Sequence, residues 1–536
     1  MRRRDFLKAT TALATGSALA AAGGFKAPAL AQSRKDTLLT VSEGGPNNLD
    51  IHGVGTNRGG YEASWAVYDR LLSFGAKTDE NGNGHYDDKK LVPELAEEWD
   101  LRETSVTFKL RKDATFHDGT PVTAKDVKWS FDRAVTVGGF PTVQMKVGSM
   151  EKPEQFVVVD DRTFRIDFIR KDKLTMPDLA VPVPVVINSG LAKKHATAED
   201  PWAMEWLKNN TAGGGAYKLD KYTPGQELIY LRNEAWKSGP PPAMQRVIWR
   251  VVPSAGNRRA LIERGDADIS VDLPPKDVAE MAADKKLTVV GTPIENALQY
   301  IGMNVTMKPF DNVKVRQAVA YAIPYQKIMD AALYGRGRPL FGGPASVTTP
   351  DWPQPFPYVT DIAKSKQLLA EAGYPDGFET TLSFDLSAAV TNEPLCVLTQ
   401  ESLAQAGIKV TLNKIPGATW RAEFSKKTLP MITNVFGGWL NFPDYFFFWT
   451  YHGQNSIFNT MSYVNPAMDK LIDAARFESD PKAYDTEVEG FIKIAMDDVP
   501  RMPLFQPYLN VAMQKSVVGY RYWFHRQLDY RQLARA

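Results

Sequence analysis

The chain has 536 residues, and its 64 Lys and Arg against 62 Asp and Glu give a net charge of +2, which offers no electrostatic reason to expect a nucleic-acid partner. Its hydrophobic content of 43% is typical of a globular protein, and its length predicts two or three lobes, each with its own core. Cys396 is the only cysteine, which excludes an intrachain disulfide and a cysteine-based metal or iron–sulfur cluster. We expect this thiol to be buried.

The first residues predict an export signal. Arg3 and Arg4 form the charged start of a twin-arginine signal, an apolar run rich in Ala and Thr follows over 9–24, and Ala29 and Ala31 supply a small-residue cleavage site. The apolar run is too short and too rich in Ala and Gly to span a bilayer. The segment 1–31 is therefore expected to be a removable signal peptide, and the mature protein to be soluble in the bacterial periplasm.

Strand and helix patterns alternate along the rest of the chain, which predicts an α/β fold. Alternating apolar residues predict strands at 38–41, 106–110 and 163–168. Thr123 and Asp126 have the spacing of a capping box and predict a helix that begins there.

The clearest unit lies in the C-terminal half of the chain. A strand is expected over 380–384, then a helix capped by Asn392 and ended by Gly407, then a second strand over 408–412. Because a helix between two strands connects parallel neighbours, this βαβ unit predicts a parallel sheet.

One long stretch carries a family resemblance. Leu91-Val-Pro-Glu-Leu-Ala-Glu-Glu-Trp99, followed by Val106-Thr-Phe-Lys-Leu-Arg-Lys-Asp-Ala-Thr-Phe-His-Asp-Gly-Thr-Pro-Val-Thr-Ala-Lys-Asp-Val-Lys-Trp129, closely resembles the signature of the family 5 extracellular solute-binding proteins. That family holds the peptide-, nickel- and oligosaccharide-binding components of ABC importers. Further matches follow in the expected order, and they include 212–217, 232–236, 267–269, 301–304, 315–322 and 370–378.

The resemblance implies a two-lobe periplasmic binding protein fold, α/β and type II-like, with an extra subdomain on the first lobe. The first lobe would be discontinuous, with segments at 36–67, 205–292 and 500–536. The extra subdomain would occupy 68–204, and the second lobe 293–499.

The segment 436–452 is the densest in aromatic side chains, and the glycines and Pro443 that interrupt it predict a loop. In peptide-binding relatives the corresponding Gly-Trp-x-x-Asp lines the cleft, and its Asp holds the amino group of the ligand. Here Phe442 stands at the Asp position and Asp444 follows two residues later. The expected ligand contacts are Trp439, Asn441, Asp444 and Tyr445, with Asn304, Gly44 and Gly45.

The resemblance implies a receptor that closes two lobes around a solute and delivers it to the permease and ATPase subunits of an ABC importer. We expect a monomer without a cofactor, without a metal and without enzymatic activity. A peptide or peptide-like amino compound is the expected ligand. An oligosaccharide or opine-like conjugate is the alternative, because Phe442 replaces the amine-binding Asp and aromatic rings also stack on sugars.

Three other classes of function have weaker support. His452 would suit a nickel carrier, but the chain has six histidines and no close pair, which is too few for a coordination sphere. The segment 79–90 imitates a calcium loop, but Lys90 stands where the bidentate Glu belongs, so a hairpin turn is expected. A secreted hydrolase lacks sequence support because the chain has neither a Gly-x-Ser-x-Gly elbow nor a His-Glu-x-x-His motif.

Overall fold

The computed structural model of the chain describes residues 35–79, 82–343, 348–454 and 458–536. The expected signal peptide, 1–31, lies outside the described residues. Among the described residues, no helix is both long and apolar enough to cross a membrane. The β-strands, in chain order, are β1 (Thr37–Ser42), β2 (Leu72–Thr78), β3 (Gly84–Pro93), β4 (Ala96–Leu101), β5 (Ser105–Leu110), β6 (Phe156–Asp160), β7 (Thr163–Asp167), β8 (Tyr217–Thr223), β9 (Glu227–Arg232), β10 (Arg246–Val251), β11 (Ile269–Ser270), β12 (Thr288–Pro293), β13 (Ala297–Met303), β14 (Gly337–Pro339), β15 (Phe378–Asp385), β16 (Ile408–Ile415), β17 (Met431–Gly437), β18 (Arg501–Met513), β19 (Val517–Val518), β20 (Arg521–Trp523), β21 (Gln527–Leu528) and β22 (Ala534–Arg535).

Helices lie between these strands. The helix expected after Thr123 is confirmed, since Thr123 and Asp126 form a capping box at its start. The α-helices, in chain order, are α1 (Arg58–Val67), α2 (Ala124–Thr136), α3 (Gly139–Val147), α4 (Thr175–Asp178), α5 (Ser189–Lys193), α6 (Met204–Leu207), α7 (Ala255–Glu263), α8 (Pro275–Asp284), α9 (Val313–Ala322), α10 (Tyr325–Lys327), α11 (Ile362–Glu371), α12 (Ala389–Gln405), α13 (Gly417–Ser425), α14 (Pro443–Thr450), α15 (Pro466–Phe477) and α16 (Pro481–Asp498).

The largest sheet joins twelve strands of the described residues in two halves. One half contains β1 and β8 to β12, which we call the first lobe, and the other contains β13 and β15 to β17, which we call the second lobe. The long strand β18 belongs to both: its beginning pairs with β13, Arg501 lying opposite Gly302, and its end pairs with β12, Met513 lying opposite Thr288. Two adjacent crossings, 294–296 and β18, therefore connect the lobes.

Two smaller four-stranded sheets cover the segment expected to form the extra subdomain. One consists of β4, β5, β7 and β6. The other joins β2 and β3 to β20 and β21, so the C-terminal part of the chain also pairs with this segment. The hairpin expected at the calcium-like loop is confirmed, since Asp79 N donates to Asn83 O at 2.8 Å between β2 and β3. The precise lobe boundaries given above stay a prediction.

The predicted βαβ unit is confirmed, because β15 and β16 pair in parallel and α12 connects them. The predicted cap is wrong: α12 begins at Ala389, so Asn392 lies inside the helix, where its Nδ2 donates to Asp385 O at 3.4 Å. Gly407 ends the unit's helix in the left-handed region, with φ of +92°, as expected. Cys396 is buried in α12, also as expected.

The loop predicted over 436–452 is largely wrong. After β17 and a short turn, the aromatic run forms the helix α14, and nearly all of its side chains are buried. Pro443 occupies the first turn, where the N–H that proline lacks would have no partner within the helix. The negative charge of Asp444 beside it interacts favourably with the positive end of the helix dipole. These two residues signal a helix start rather than a break.

Candidate functional site

Three adjoining cavities lie between the two lobes. The first has a volume of about 410 Å³ and is lined mainly by the first lobe, including Glu43, Arg58 and Asp272. The second, also of about 410 Å³, shares these three residues and adds Asp385 from the second lobe. The third, of about 190 Å³, meets the second at Val435 on β17. They form one cleft whose walls come from both lobes.

The first wall of the cleft is the loop after β1, which packs against the start of α1. Asn57 caps α1, and its side chain accepts a hydrogen bond from Gly60 N at 3.1 Å. Gly59 lies so close to the loop that a Cβ there would stand 2.7 Å from the Gly45 carbonyl carbon, so no larger residue fits. This close approach brings the loop backbone and Arg58 to the same cavity.

Carboxylates and arginines face each other in the first cavity. Glu43 N donates to Asp272 Oδ2 at 3.2 Å, and Arg58 Nη2 lies 3.7 Å from Asp272 Oδ1. The buried Arg258 places Nη2 3.7 Å from Glu43 Oε2. Burial raises the pKa of Glu43, while Arg258 acts in the opposite direction. A ligand ammonium that entered here would meet two carboxylates able to form charge-assisted hydrogen bonds.

The third cavity is lined mostly by aromatic side chains, and we call it the aromatic chamber. The Trp439 ring stands edge-on to Tyr61 of the first lobe, with ring centroids 5.1 Å apart, and to Phe140, at 4.8 Å. Arg421, on α13 of the second lobe, also lines the chamber and lies 5.6 Å from the Phe458 ring centroid. The chamber can therefore hold an apolar group next to a single guanidinium.

Four of the predicted contacts line the cleft. Gly44 and Gly45 border the first cavity, and Trp439 and Tyr445 border the aromatic chamber. The Tyr445 hydroxyl donates to Gln144 Oε1 at 3.1 Å, which fixes its ring across the boundary between α14 and α3.

Two predicted contacts lie outside the three cavities. Asn304 is fully buried, and its Nδ2 donates to Lys427 O at 2.7 Å, so it fastens a turn after β13. Asn441 Nδ2 donates to Asp88 Oδ2 at 3.1 Å and to Glu295 Oε2 at 3.0 Å. Both side chains make hydrogen bonds within the protein, and their roles as ligand contacts stay predictions.

Asp444 also lies away from the cavities, and its carboxylate binds an amine of the protein itself. Lys173 Nζ stands 3.1 Å from Asp444 Oδ1, and the Tyr484 hydroxyl donates to the same oxygen at 2.7 Å. The Asp444 side chain is 0% exposed. Burial lowers the pKa of the Lys173 ammonium while Asp444 raises it, and a ligand role for Asp444 stays a prediction.

The neighbouring residue makes a second ion pair across the same boundary. Arg476 Nη1 and Nη2 bind the two Asp172 carboxylate oxygens at 2.5 and 2.7 Å, a two-pronged geometry. Lys173 Nζ also donates to Ala475 O at 2.7 Å. Asp172 and Lys173 together thus fasten the segment after β7 to α14 and α15 of the second lobe.

The histidine that would suit a nickel carrier does not line the cleft. His452 is buried, and its Nε2 lies 3.3 Å from Asp473 Oδ1. Within the described ranges, no group of three or more His, Cys, Asp or Glu side chains is arranged to hold a metal ion.

Sequence reasoning missed the charged residues of the cleft. Glu43 directly precedes the Gly44-Gly45 loop, and its charge beside two glycines was an available signal. Arg58, Asp272 and Arg421 belong to segments far apart in the chain, and no motif marks them.

Comparisons with known proteins support this architecture. The sequence model of a family described as bacterial extracellular solute-binding proteins, family 5 Middle, matches residues 90–458. The probable D,D-dipeptide-binding periplasmic protein DdpA of Escherichia coli K12 is 29% identical over 495 residues, 91% of this chain and 91% of that protein. The glutathione-binding protein GsiB of Salmonella typhimurium is 29% identical over 446 residues, 81% of this chain and 84% of that protein.

Solved structures show the same two-lobe fold. The periplasmic binding protein DppA from Helicobacter pylori, in complex with the peptide STSA, has a TM-score of 0.78 and 21% identity, covering 93% of this chain and 98% of its own. AgaA from A. tumefaciens R10, in complex with agropinic acid, has a TM-score of 0.77 and 24% identity, covering 93% and 99%.

Proposed function

We propose, because the chain belongs to family 5 of the bacterial extracellular solute-binding proteins, that it is the periplasmic receptor of an ABC importer and that its ligand is a peptide or peptide-like amino compound. Relatives whose names state a dipeptide or glutathione ligand support this ligand class. The receptor binds and releases its ligand unchanged and passes it to the permease and ATPase subunits.

The observation that carries the ligand class is the pairing of opposite charges inside the cleft. A peptide has an ammonium and a carboxylate separated by an uncharged body, whereas a neutral oligosaccharide has neither charge. Glu43 and Asp272 offer carboxylates to the ammonium, and Arg58 and Arg421 offer guanidinium groups to the carboxylate. Aligned, charge-assisted hydrogen bonds are roughly twice as strong as neutral ones, so this cleft favours a zwitterion.

We assign the amine contact to Glu43 rather than to Asp444. The Asp444 carboxylate is occupied by Lys173, while Glu43 lines both of the larger cavities. The ligand would then touch the first lobe through Glu43 and the second lobe through Asp385. Contacts with both lobes exist only when the lobes are together, so ligand shifts the balance towards the closed form.

Glu43→Gln tests the assignment. Isothermal titration with a dipeptide should show a loss of about 2–5 kcal/mol in binding free energy, since the ammonium loses its charged partner. The N-acetylated dipeptide should bind wild type and variant equally weakly. Glu379→Gln removes a carboxylate that is 79% exposed and serves as the matched control. Equal loss for the acetylated and the free dipeptide would contradict the amine contact.

An oligosaccharide or opine-like conjugate is the second candidate ligand, because the aromatic chamber would accept a sugar face as readily as an apolar side chain. Native mass spectrometry of the ligand that co-purifies with the protein separates the two classes by mass. A neutral oligosaccharide in that spectrum would contradict the amino-compound proposal.

We also propose that the protein reaches the periplasm through the twin-arginine route and acts there as a monomer. The paired Arg3 and Arg4 support the route. Replacing both with Lys should leave the uncleaved precursor in the cytoplasm, while the wild type should be recovered from the periplasm without residues 1–31. Periplasmic recovery of the double variant in the wild-type amount would contradict the route.

A further inference from the structure

Among the described residues that line the aromatic chamber, Arg421 is the one arginine or lysine. The described residues that line the chamber include no Asp and no Glu, so the guanidinium meets no carboxylate there. The guanidinium carbon lies 5.6 Å from the Phe458 ring centroid. Arg421 is exposed to solvent, and a guanidinium, which is less strongly hydrated than an ammonium, presents a planar set of donors that suits a planar carboxylate.

Tyr61 adds a second hydrogen-bond donor to the chamber. Tyr61 lines the same chamber from the first lobe, and burial raises its pKa to about 12 while Arg421 acts in the opposite direction. Its hydroxyl is therefore neutral at pH 7 and can donate a hydrogen bond. An anion in the chamber would have a charged donor from the second lobe and a neutral donor from the first.

The aromatic chamber adjoins the cavity that holds the carboxylates. Arg58, which lines the first two cavities, and Tyr61, which lines the chamber, lie three residues apart on α1 and so about one turn apart. Val435 borders both the second cavity and the chamber. One short ligand can therefore reach both places.

We propose that Arg421 binds the terminal carboxylate of the ligand in the aromatic chamber, so that the ligand lies with its amine at Glu43 and Asp272. This inference rests on the proposed function, whose ligand is a peptide-like amino compound. The orientation also assigns specificity: the residue next to the carboxylate packs against Trp439 and Phe140, which favours an apolar or aromatic side chain at that position.

The test compares Ala-Phe with Ala-Phe amide, which differ only at the carboxyl end, by isothermal titration to the full-length mature protein. Wild type should bind the free acid about tenfold to a hundredfold more tightly than the amide, because the amide loses a charge-assisted contact. Arg421→Gln should weaken binding of the acid to the level of the amide and leave the amide affinity unchanged. Arg421→Lys should keep part of the preference, since it keeps the charge but loses the planar fork.

Arg264→Gln is the control, because Arg264 is 64% exposed and pairs with the nearby Asp266. This variant should keep the wild-type preference for the acid. If wild type bound both forms equally, or if Arg421→Gln kept the preference, the carboxylate site would be overturned while the peptide ligand stood. If neither form bound, the peptide-like ligand itself would be contradicted.

Discussion

The bidentate pair between Asp172 and Arg476 should control how firmly the lobes close. The Asp172 side chain is 0% exposed and that of Arg476 is 14% exposed, so both charges are removed from water when the lobes meet. Arg476→Met keeps most of the side-chain volume but leaves the Asp172 carboxylate buried without its partner. Removing one partner of a buried pair costs about 3–5 kcal/mol.

That cost falls mainly on the closed form, because Asp172 regains water when the lobes separate. The ratio of closed to open protein should therefore fall by a factor between about a hundred and a few thousand. The ligand dissociation constant should rise by up to the same factor, since the ligand must then provide the energy of closure. Titration calorimetry measures the affinity. In solution scattering without ligand, Arg476→Met should have a larger radius of gyration than wild type.

Two further variants isolate the cause of this effect. Lys493→Met breaks a pair with Asp497 whose side chains are 73% and 63% exposed within one helix, and it should change neither measurement. The double variant Asp172→Asn, Arg476→Met removes both charges and should recover most of the lost affinity. The reasoning is refuted if Arg476→Met binds ligand within twofold of wild type and has the same radius of gyration.

Three other perturbations test the structure elsewhere. Burial raises the pKa of Glu62 from its ordinary value of 4.5 to about 7, so the folded state holds the proton more tightly than the unfolded state. The free energy of unfolding should therefore fall as pH rises from about 5 to 7. Glu62→Gln should remove up to about 3 kcal/mol of that fall, which a flatter profile of Tm against pH would show. Asp444→Asn should weaken amine-bearing and neutral ligands by the same factor in titration calorimetry, because the carboxylate binds a lysine of the protein; a loss confined to amines would restore its ligand role. Gly377→Ala places a Cβ 2.0 Å from Gly407 O at a φ of +79° and should cost more than about 2 kcal/mol in urea unfolding, whereas Gly256→Ala, with nothing nearer than 3.9 Å, should be neutral or slightly stabilising.

Local signals predicted those parts of the fold that are decided within a few residues. The capping box at Thr123 needs only one helical turn, and the βαβ unit needs the hydrophobic period to change from strand to helix and back. The prediction that Asn392 caps α12 failed because the helix begins about one turn earlier and still accommodates Pro394. The prediction of a loop in place of α14 failed because proline can either end a helix or occupy its first turn. Pro443 occupies the first turn.

The cleft was harder to predict because its charges meet only in the folded chain. Family resemblance indicated the region of Trp439 and the loop of Gly44, and both border cavities. It could not indicate that the Lys173 ammonium would bind the Asp444 carboxylate. The two residues are far apart in sequence and come into contact only where the two lobes pack together. The same holds for Glu43 and Arg421: Glu43 meets Arg258 and Asp272, and Arg421 shares its cavity with Tyr61, all of them distant in sequence.

The strand β18, which both lobes share, also determines when the large sheet can form during synthesis. β18 begins at Arg501, so neither half of the twelve-stranded sheet can be completed until the ribosome has made nearly the whole polypeptide. Domains commonly fold one after another from the N-terminus as they emerge, but here the earliest strands must wait for one of the last. An N-terminal fragment that stops before β18 would leave β11, β12 and β13 with unpaired edges open to aggregation, so either lobe expressed alone lacks a self-sufficient sheet.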